Sequence, residues 1–183
     1  AQIKGSAERD SLLAAARAEA SLASMRRDIA HAQADDVNLK VRYGIEGQQA
    51  AAVADADLRT AEMQLGRIAT NIDEITASGH PPRDDLNAPL VGGRDFVKRR
   101  IEVDAFAAQA QMKVAEGALD EVNRRVRAGV GTEVERLAAT LDLARARAAM
   151  AVFAKKLELR TEFLEKHTPI DELTRPLDRS QVE

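Results

Sequence analysis

Three histidines, His31, His80 and His167, are the side chains best suited to proton transfer or metal binding, and none has a second histidine three or four positions away. His31 stands one helical turn before Asp35, and His80 stands just before Asp84 and Asp85, so each place offers two or three ligands at most. Zinc needs three or four converging groups, and the chain has no cysteine to complete a set. Both places therefore read as polar surface, with no metal and no cofactor. Serine and threonine are scattered without a readable nucleophile and base, and no Gly-Lys-Ser/Thr phosphate loop occurs. Gly92-Gly93 before Arg94-Asp95 reads as a flexible entry to a helix that Asp95 starts. Catalytic chemistry is not written here, and the reading is of a protein that is not an enzyme.

The remaining candidates come in duplicate. DDVNLKVRYGIEG begins at Asp35 and DEVNRRVRAGVGT begins at Asp120, and six of the ten pairs up to Gly44 and Gly129 are identical at an offset of 85. The same offset pairs Arg9-Asp10 with Arg94-Asp95 and Asp57-Leu58 with Asp142-Leu143, so the chain is a tandem duplication. A glycine in the middle of a unit rich in helix formers is where such a unit reverses, because glycine takes the left-handed conformation without a Cβ clash. Each repeat reads as helix, tight turn, helix.

The chemistry gathered at those turns is cationic. Lys40 and Arg42 precede Gly44, and Arg124, Arg125 and Arg127 precede Gly129. Cations there complement the helix dipole; the functional alternative is a basic tip that meets an acidic partner or anionic lipid. Asn38 and Asn123, one turn earlier, suit polar pinning of helix register.

The first hairpin spans residues 1–77. Leu22, Met25, Ile29 and Ala32 form a coiled-coil seam on its outgoing arm, and Leu58, Ala61, Leu65, Ile68, Ile72 and Ile75 form an apolar stripe on the return. Residues 78–93 form a Pro/Gly linker that no helix crosses. The second hairpin, 94–167, carries Val103, Phe106, Ala110 and Val114 outward and Leu143, Ala146, Met150, Phe153 and Leu157 back. Residues 168–183 form a tail that Ile170, Leu173 and Leu177 could strap onto the rest. The expected fold is all-α: tandem long helical hairpins packed as an antiparallel four-helix bundle or coiled coil.

Composition agrees. Aromatics are 3% of 183 residues and tryptophan is absent, which suits close-packed alanine-rich helices better than a sheet. Lys+Arg 27 against Asp+Glu 30 leaves −3, mixed along the chain, so no nucleic-acid partner is expected. With no apolar run near membrane length, no membrane insertion is expected either. The initial alanine and the lack of a signal-like segment read as a processed or excised soluble piece.

Gly129 is followed by Thr132, Glu135, Leu137 and Ala139, and then by LDLARARAAM. This resembles the turn region of the TolC-type outer-membrane efflux proteins, whose periplasmic part is also two tandem helical hairpins. In the first turn the positions matching Glu135, Leu137 and Ala139 are Ala50, Ala52 and Ala54, so that turn is degenerate. The family's membrane strands have no counterpart in the linker, and no barrel can be built from this chain. The resemblance implies a periplasmic or extracytoplasmic hairpin module that meets an envelope protein, an adaptor or a membrane-anchored regulator, through a turn-end surface of Arg42, Gly44, Arg124, Arg125, Arg127, Gly129 and Thr132, or that acts by homo-oligomerisation. The alternative is an extracytoplasmic sensor domain of an anti-sigma-like regulator, binding a small ligand or metal.

Overall fold

Gly44 and Gly129 reverse the chain with φ of 70° and 73°. The turns share their backbone bonding. Ile45 N donates to Lys40 O at 2.9 Å and Val130 N to Arg125 O at 3.0 Å, while Gly44 N and Gly129 N donate to Val41 O and Val126 O at 3.0 Å. This is the Schellman arrangement, which satisfies the last carbonyls of a helix, and it recurs at the repeat offset.

The structure, a computed structural model, describes residues 2–167, with side chains from Ala7 onward. The expected tail with Ile170, Leu173 and Leu177 lies outside the described residues. Four helices follow in order, α1 Gln2–Arg42, α2 Gln48–Ser78, α3 Phe96–Arg127 and α4 Glu133–Lys166. The protein is all-α, as expected. Each helix packs on its neighbour in sequence, α1 on α2, α2 on α3 and α3 on α4, and among the described residues α1 and α4 do not touch. Among the described residues the four antiparallel rods thus leave α1 and α4 as edges with one helix neighbour each. No described helix is long and apolar enough to cross a membrane.

The stripes on α2 and α4 face inward as expected. Ile75, with Ile72 beside it, packs on Leu13 and Ala16 of α1, and Leu143 of α4 is buried at 6% exposure. The α3 residue Val103 faces α2, lying beside Gly66, and one turn beyond Ala110 the Gln49 amide of α2 donates to the backbone carbonyl of Val114 at 3.1 Å. Phe106, on the same side, is half exposed beneath the Arg59 guanidinium at 5.0 Å.

The α1 seam is a correction. Leu22, Met25 and Ile29 are 58–59% exposed, while the residues α1 buries against α2 include Leu13, Ala16, Ala23 and Ala34. Alanines let two helices approach closely. Both stripes on α1 have the same three-four spacing, so periodicity identifies each of them without saying which one a neighbour covers.

The connection between hairpins is ordered, which corrects the flexible entry expected at Gly92-Gly93. Gly79 caps α2 with φ 74° and donates to Ile75 O. Gly92 and Gly93 take φ of 58° and 72°, and Val91 and Arg94 exchange two backbone bonds of 3.1 Å. Positive φ at both central residues is the geometry that makes glycine the natural choice there. Asp95 then caps α3, accepting from Lys98 N at 3.0 Å. Ala88 packs with Val97 and Ile101 of α3, against Phe153 and Leu157 of α4. The connection is part of the core.

Candidate interaction surface at the turn end

Because α2 and α3 are antiparallel neighbours, both turns lie at one end of the molecule. Gly47 to Ala50 of the first hairpin share an open groove of about 700 Å³ with Gly117, Asp120, Glu121 and Arg124 of α3. From Val114, opposite Gln49, α3 runs on to Arg127, so the second turn projects beyond the first by roughly 10–15 Å at 1.5 Å per residue. Of the turn-end residues named from sequence, Arg124 lines the shared groove. Arg127, Gly129 and Thr132 lie beyond it on the second turn, and Arg42 and Gly44 belong to the first.

Much of the basic charge is already compensated. Lys40 Nζ lies 2.7 Å from Asp36 and 3.7 Å from Glu46, and the hydrogen bond to Asp36 raises its pKa above the ordinary value. Arg124 lies 2.6 Å from Glu121, and Arg125 lies 3.1 Å from Glu135. Arg42 and Arg127 make no ion pair or side-chain hydrogen bond with any described residue. Around them the tip is apolar: Tyr43, Ile45, Val130 and Val134 are each about 70% or more exposed. Sequence reasoning passed over these four. Their signal was four sizeable apolar side chains at a turn end, where polar residues are usual.

The pattern from Gly129 to Glu135 has a local physical cause. Thr132 caps α4, its hydroxyl accepting from Glu135 N at 3.2 Å, while the Glu135 carboxylate accepts from Thr132 N at 2.8 Å. That is a capping box. The Thr132 amide bond, more than any other contact, holds the Glu135 carboxyl below its ordinary value. The first turn has Gly47 at its cap, with no side-chain bond. Gly131 also tightens the second turn: its N–H reaches Arg125 O at 3.0 Å, where Glu46 N stands 3.4 Å from Lys40 O. A Cβ on Gly131 would lie 2.8 Å from Val126 N, so only glycine fits.

At the opposite end a set of buried charges, none of it singled out from sequence, holds the connection. Arg100 of α3 is 1% exposed; its Nη1 lies 2.5 Å from Glu74 Oε2 of α2, and its Nη2 donates to Arg83 O. Asp84 Oδ1 lies 2.7 Å from Arg100 Nε but off the N–H direction, so it contributes charge rather than a hydrogen bond. Arg160 of α4, also 1% exposed, holds Asp95 at 3.0 Å and donates to Leu86 O and Ala88 O at 2.8 and 2.6 Å. Nearby, Arg67 bonds Asp104 across α2 and α3, and burial raises the Asp104 carboxyl against the pull of Arg67. A signal existed: the spacing 143, 146, 150, 153, 157 on α4 continues to 160, an arginine on an apolar stripe.

The other candidates stay apart. His31 Nδ1 lies 3.0 Å from Asp35, both exposed, and among the described residues no three histidine or acidic side chains gather as metal ligands would. Asn38 and Asn123 make no side-chain hydrogen bond with a described residue, which corrects the expectation that they pin register. Register between the hairpins is held by Gln49 to Val114 O, by Gln111 to Thr60 at 3.5 Å, by Arg99 to Asp73 at 2.7 Å and by the buried charges. No family model, curated protein or solved structure matches the chain.

Proposed function

We propose that this chain is a non-enzymatic helical-hairpin interaction module of the bacterial cell envelope that contacts a protein partner, an adaptor or a membrane-anchored regulator, through its turn end. The observation that carries the reading is that each turn exposes an apolar pair on the same turn as an arginine that pairs with no described residue, Tyr43 and Ile45 with Arg42 and Val130 and Val134 with Arg127. Turn backbones are satisfied by their own Schellman bonds, so those side chains are not needed to close the turns. An apolar patch carrying cations suits an acidic-rimmed protein surface, where the apolar centre supplies affinity and the charges supply orientation. The envelope placement rests on the likeness of the second turn to TolC-type proteins. The buried ionic groups of the other end are engaged with each other and with the connection, which supports a structural use for them.

The test is association with envelope proteins by the wild type, by Arg127→Glu and by Val130→Asp. Each variant should keep the wild-type melting temperature and lose the association, and added salt should mimic the loss for the charge change, since exposed charges are screened over about 10 Å at 0.1 M. Because the second turn projects furthest, Arg127→Glu should have the larger effect than Arg42→Glu. Full binding by all three variants would remove the turn end from the function.

A further inference from the structure

The duplication allows the two hairpins to be compared position by position. Between α1 and α2, near the first turn, lies an open groove of about 480 Å³. Val37 of α1 and Val53 and Ala54 of α2 give it an apolar floor, and three carboxylates, Asp36, Glu46 and Asp57, stand along it. The counterparts of Asp36 and Asp57 in the second hairpin are Glu121 and Asp142. There each carboxylate has an arginine one turn on: Arg124 lies 2.6 Å from Glu121, and Arg145 lies 3.1 Å from Asp142. A third acid of the second hairpin, Glu135, stands where the first has Ala50, and Arg125 meets it at 3.1 Å.

In the first hairpin two of those arginines are replaced. Leu39 stands at the position of Arg124 and Thr60 at that of Arg145, and only Lys40, at the position of Arg125, keeps a charge. Lys40 Nζ lies 2.7 Å from Asp36 and 3.7 Å from Glu46. Asp57 is exposed and makes no ion pair or side-chain hydrogen bond with any described residue. Three carboxylates thus share one cation in the first hairpin, where the second sets a cation against each. We propose that the groove between α1 and α2 binds an aliphatic polyamine, its alkyl chain lying on Val37, Val53 and Ala54 and its ammonium groups meeting Asp57 and the pair Asp36 and Glu46.

The occupant follows from how the charge is laid out. By the helical rise Asp57 stands roughly 14 Å into α2 from Gln48, and Asp36 stands roughly 9 Å back along α1 from Arg42. Glu46 lies between the two helices, on the turn, so the carboxylates form a row along the groove instead of converging on one point. A divalent cation takes ligands that converge. A polyamine instead spreads its charges along a flexible apolar chain, and that matches a row of acids over an apolar floor by both charge and hydrophobicity. Lys40 already displays half of this recognition within the chain, as an alkylammonium seated between Asp36 and Glu46, and the hydrogen bond to Asp36 raises its pKa. A ligand ammonium joins that cluster, and another takes the unpaired Asp57. Contacts of this kind at an open surface are individually weak and screened by salt. The site is independent of any partner held at the turn end.

Spermidine titrated into the full chain at low ionic strength supplies the test, with calorimetry for affinity and methyl NMR for location. Binding should saturate and should shift the methyls of Val37 and Val53 while leaving those of Val122, the counterpart of Val37, in place. Asp57→Asn should raise the dissociation constant by about threefold or more, and Asp142→Asn, at a carboxylate that already has its arginine, should not change it. Leu39→Arg with Thr60→Arg gives the first hairpin the pairing of the second and should abolish saturable binding. Leu39 is 49% exposed, so Leu39→Arg alone should keep the wild-type melting curve and still weaken binding, which preserves the comparison if the double variant melts early. Magnesium chloride at matched ionic strength should not reproduce the methyl shifts. A wild type that shows no saturable binding would overturn the proposal. So would shifts of equal size in both hairpins, full binding by the folded arginine variants, or magnesium acting as spermidine does.

Discussion

Arg160 stands at the place in the second hairpin that Ile75 holds in the first, and both side chains are buried, at 1% and 3% exposure. Ile75 closes the apolar contact between α1 and α2. Arg160, with the same backbone position, reaches Asp95 and two carbonyls of the connection. One inherited position thus serves packing in one copy and tethering in the other.

Truncation at Arg160 should be among the most damaging single changes. Arg160→Ala leaves the Asp95 carboxylate with only the Lys98 amide as donor and the carbonyls of Leu86 and Ala88 without the Arg160 donor, and breaking a buried pair from one side costs about 3–5 kcal/mol. Chemical denaturation of Arg160→Ala, Asp95→Ala and the double variant measures this. The double variant should lose less than the sum of the singles, because the two groups share one interaction.

The seam on α2 and α4 separates from the stripe on α1 by substitution. Leu65→Asp and Met150→Asp occupy equivalent positions on inward stripes, and each should destabilise by about 2 kcal/mol or more through an unpaired carboxylate. Met25→Asp should leave the melting temperature of dilute protein nearly unchanged, since Met25 is 59% exposed. A large loss at Met25 in dilute protein would contradict the packing of α1.

Turn glycines should differ by cause. Gly44→Ala and Gly129→Ala force an L residue to positive φ and should cost about 1–2 kcal/mol each. Gly131 has ordinary φ, but its Cβ would strike the Val126 backbone, so Gly131→Ala should open the second turn and cost at least as much. Glu46, its counterpart, already carries a side chain, and Glu46→Ala should be mild. Thermal melts of the four variants decide it.

Acid should weaken the second hairpin through its cap. The Glu135 carboxyl is held below its ordinary value of about 4.5, so the stability it contributes is complete above that pH and is lost as pH falls through it towards the folded value. Glu135→Gln keeps the capping-box acceptor without the titration; the wild type's advantage over it should shrink steadily below pH 4.5. Asp104 has the opposite sign, because burial raises its carboxyl. Its ionisation costs stability as pH rises through the folded value, and Asp104→Asn should lose less at neutral pH than at acid pH.

Composition, the 85-residue repeat and the two turn glycines were enough to read an all-α chain of tandem hairpins, because helix propensity and left-handed glycine act over a few residues and need no partner. The inward stripes of α2 and α4 were legible for the same reason, as a period of three and four. Tertiary structure decided what covers each stripe. On α1 two stripes of equal period compete, and only the position of α2 determines that the alanine stripe is buried and Leu22, Met25 and Ile29 are left out. The turn-end site was legible at its glycines and arginines, and the pairs Lys40–Asp36 and Arg124–Glu121 follow from helical spacing within one helix, whereas the pairs Lys40–Glu46 and Arg125–Glu135 form only when the turns close. The clamp on the connection was least legible, since Arg100 and Arg160 are ordinary helix residues by propensity. They become structural only when two helices and a Pro/Gly segment converge, and the exposed carbonyls of that segment must then find donors away from water.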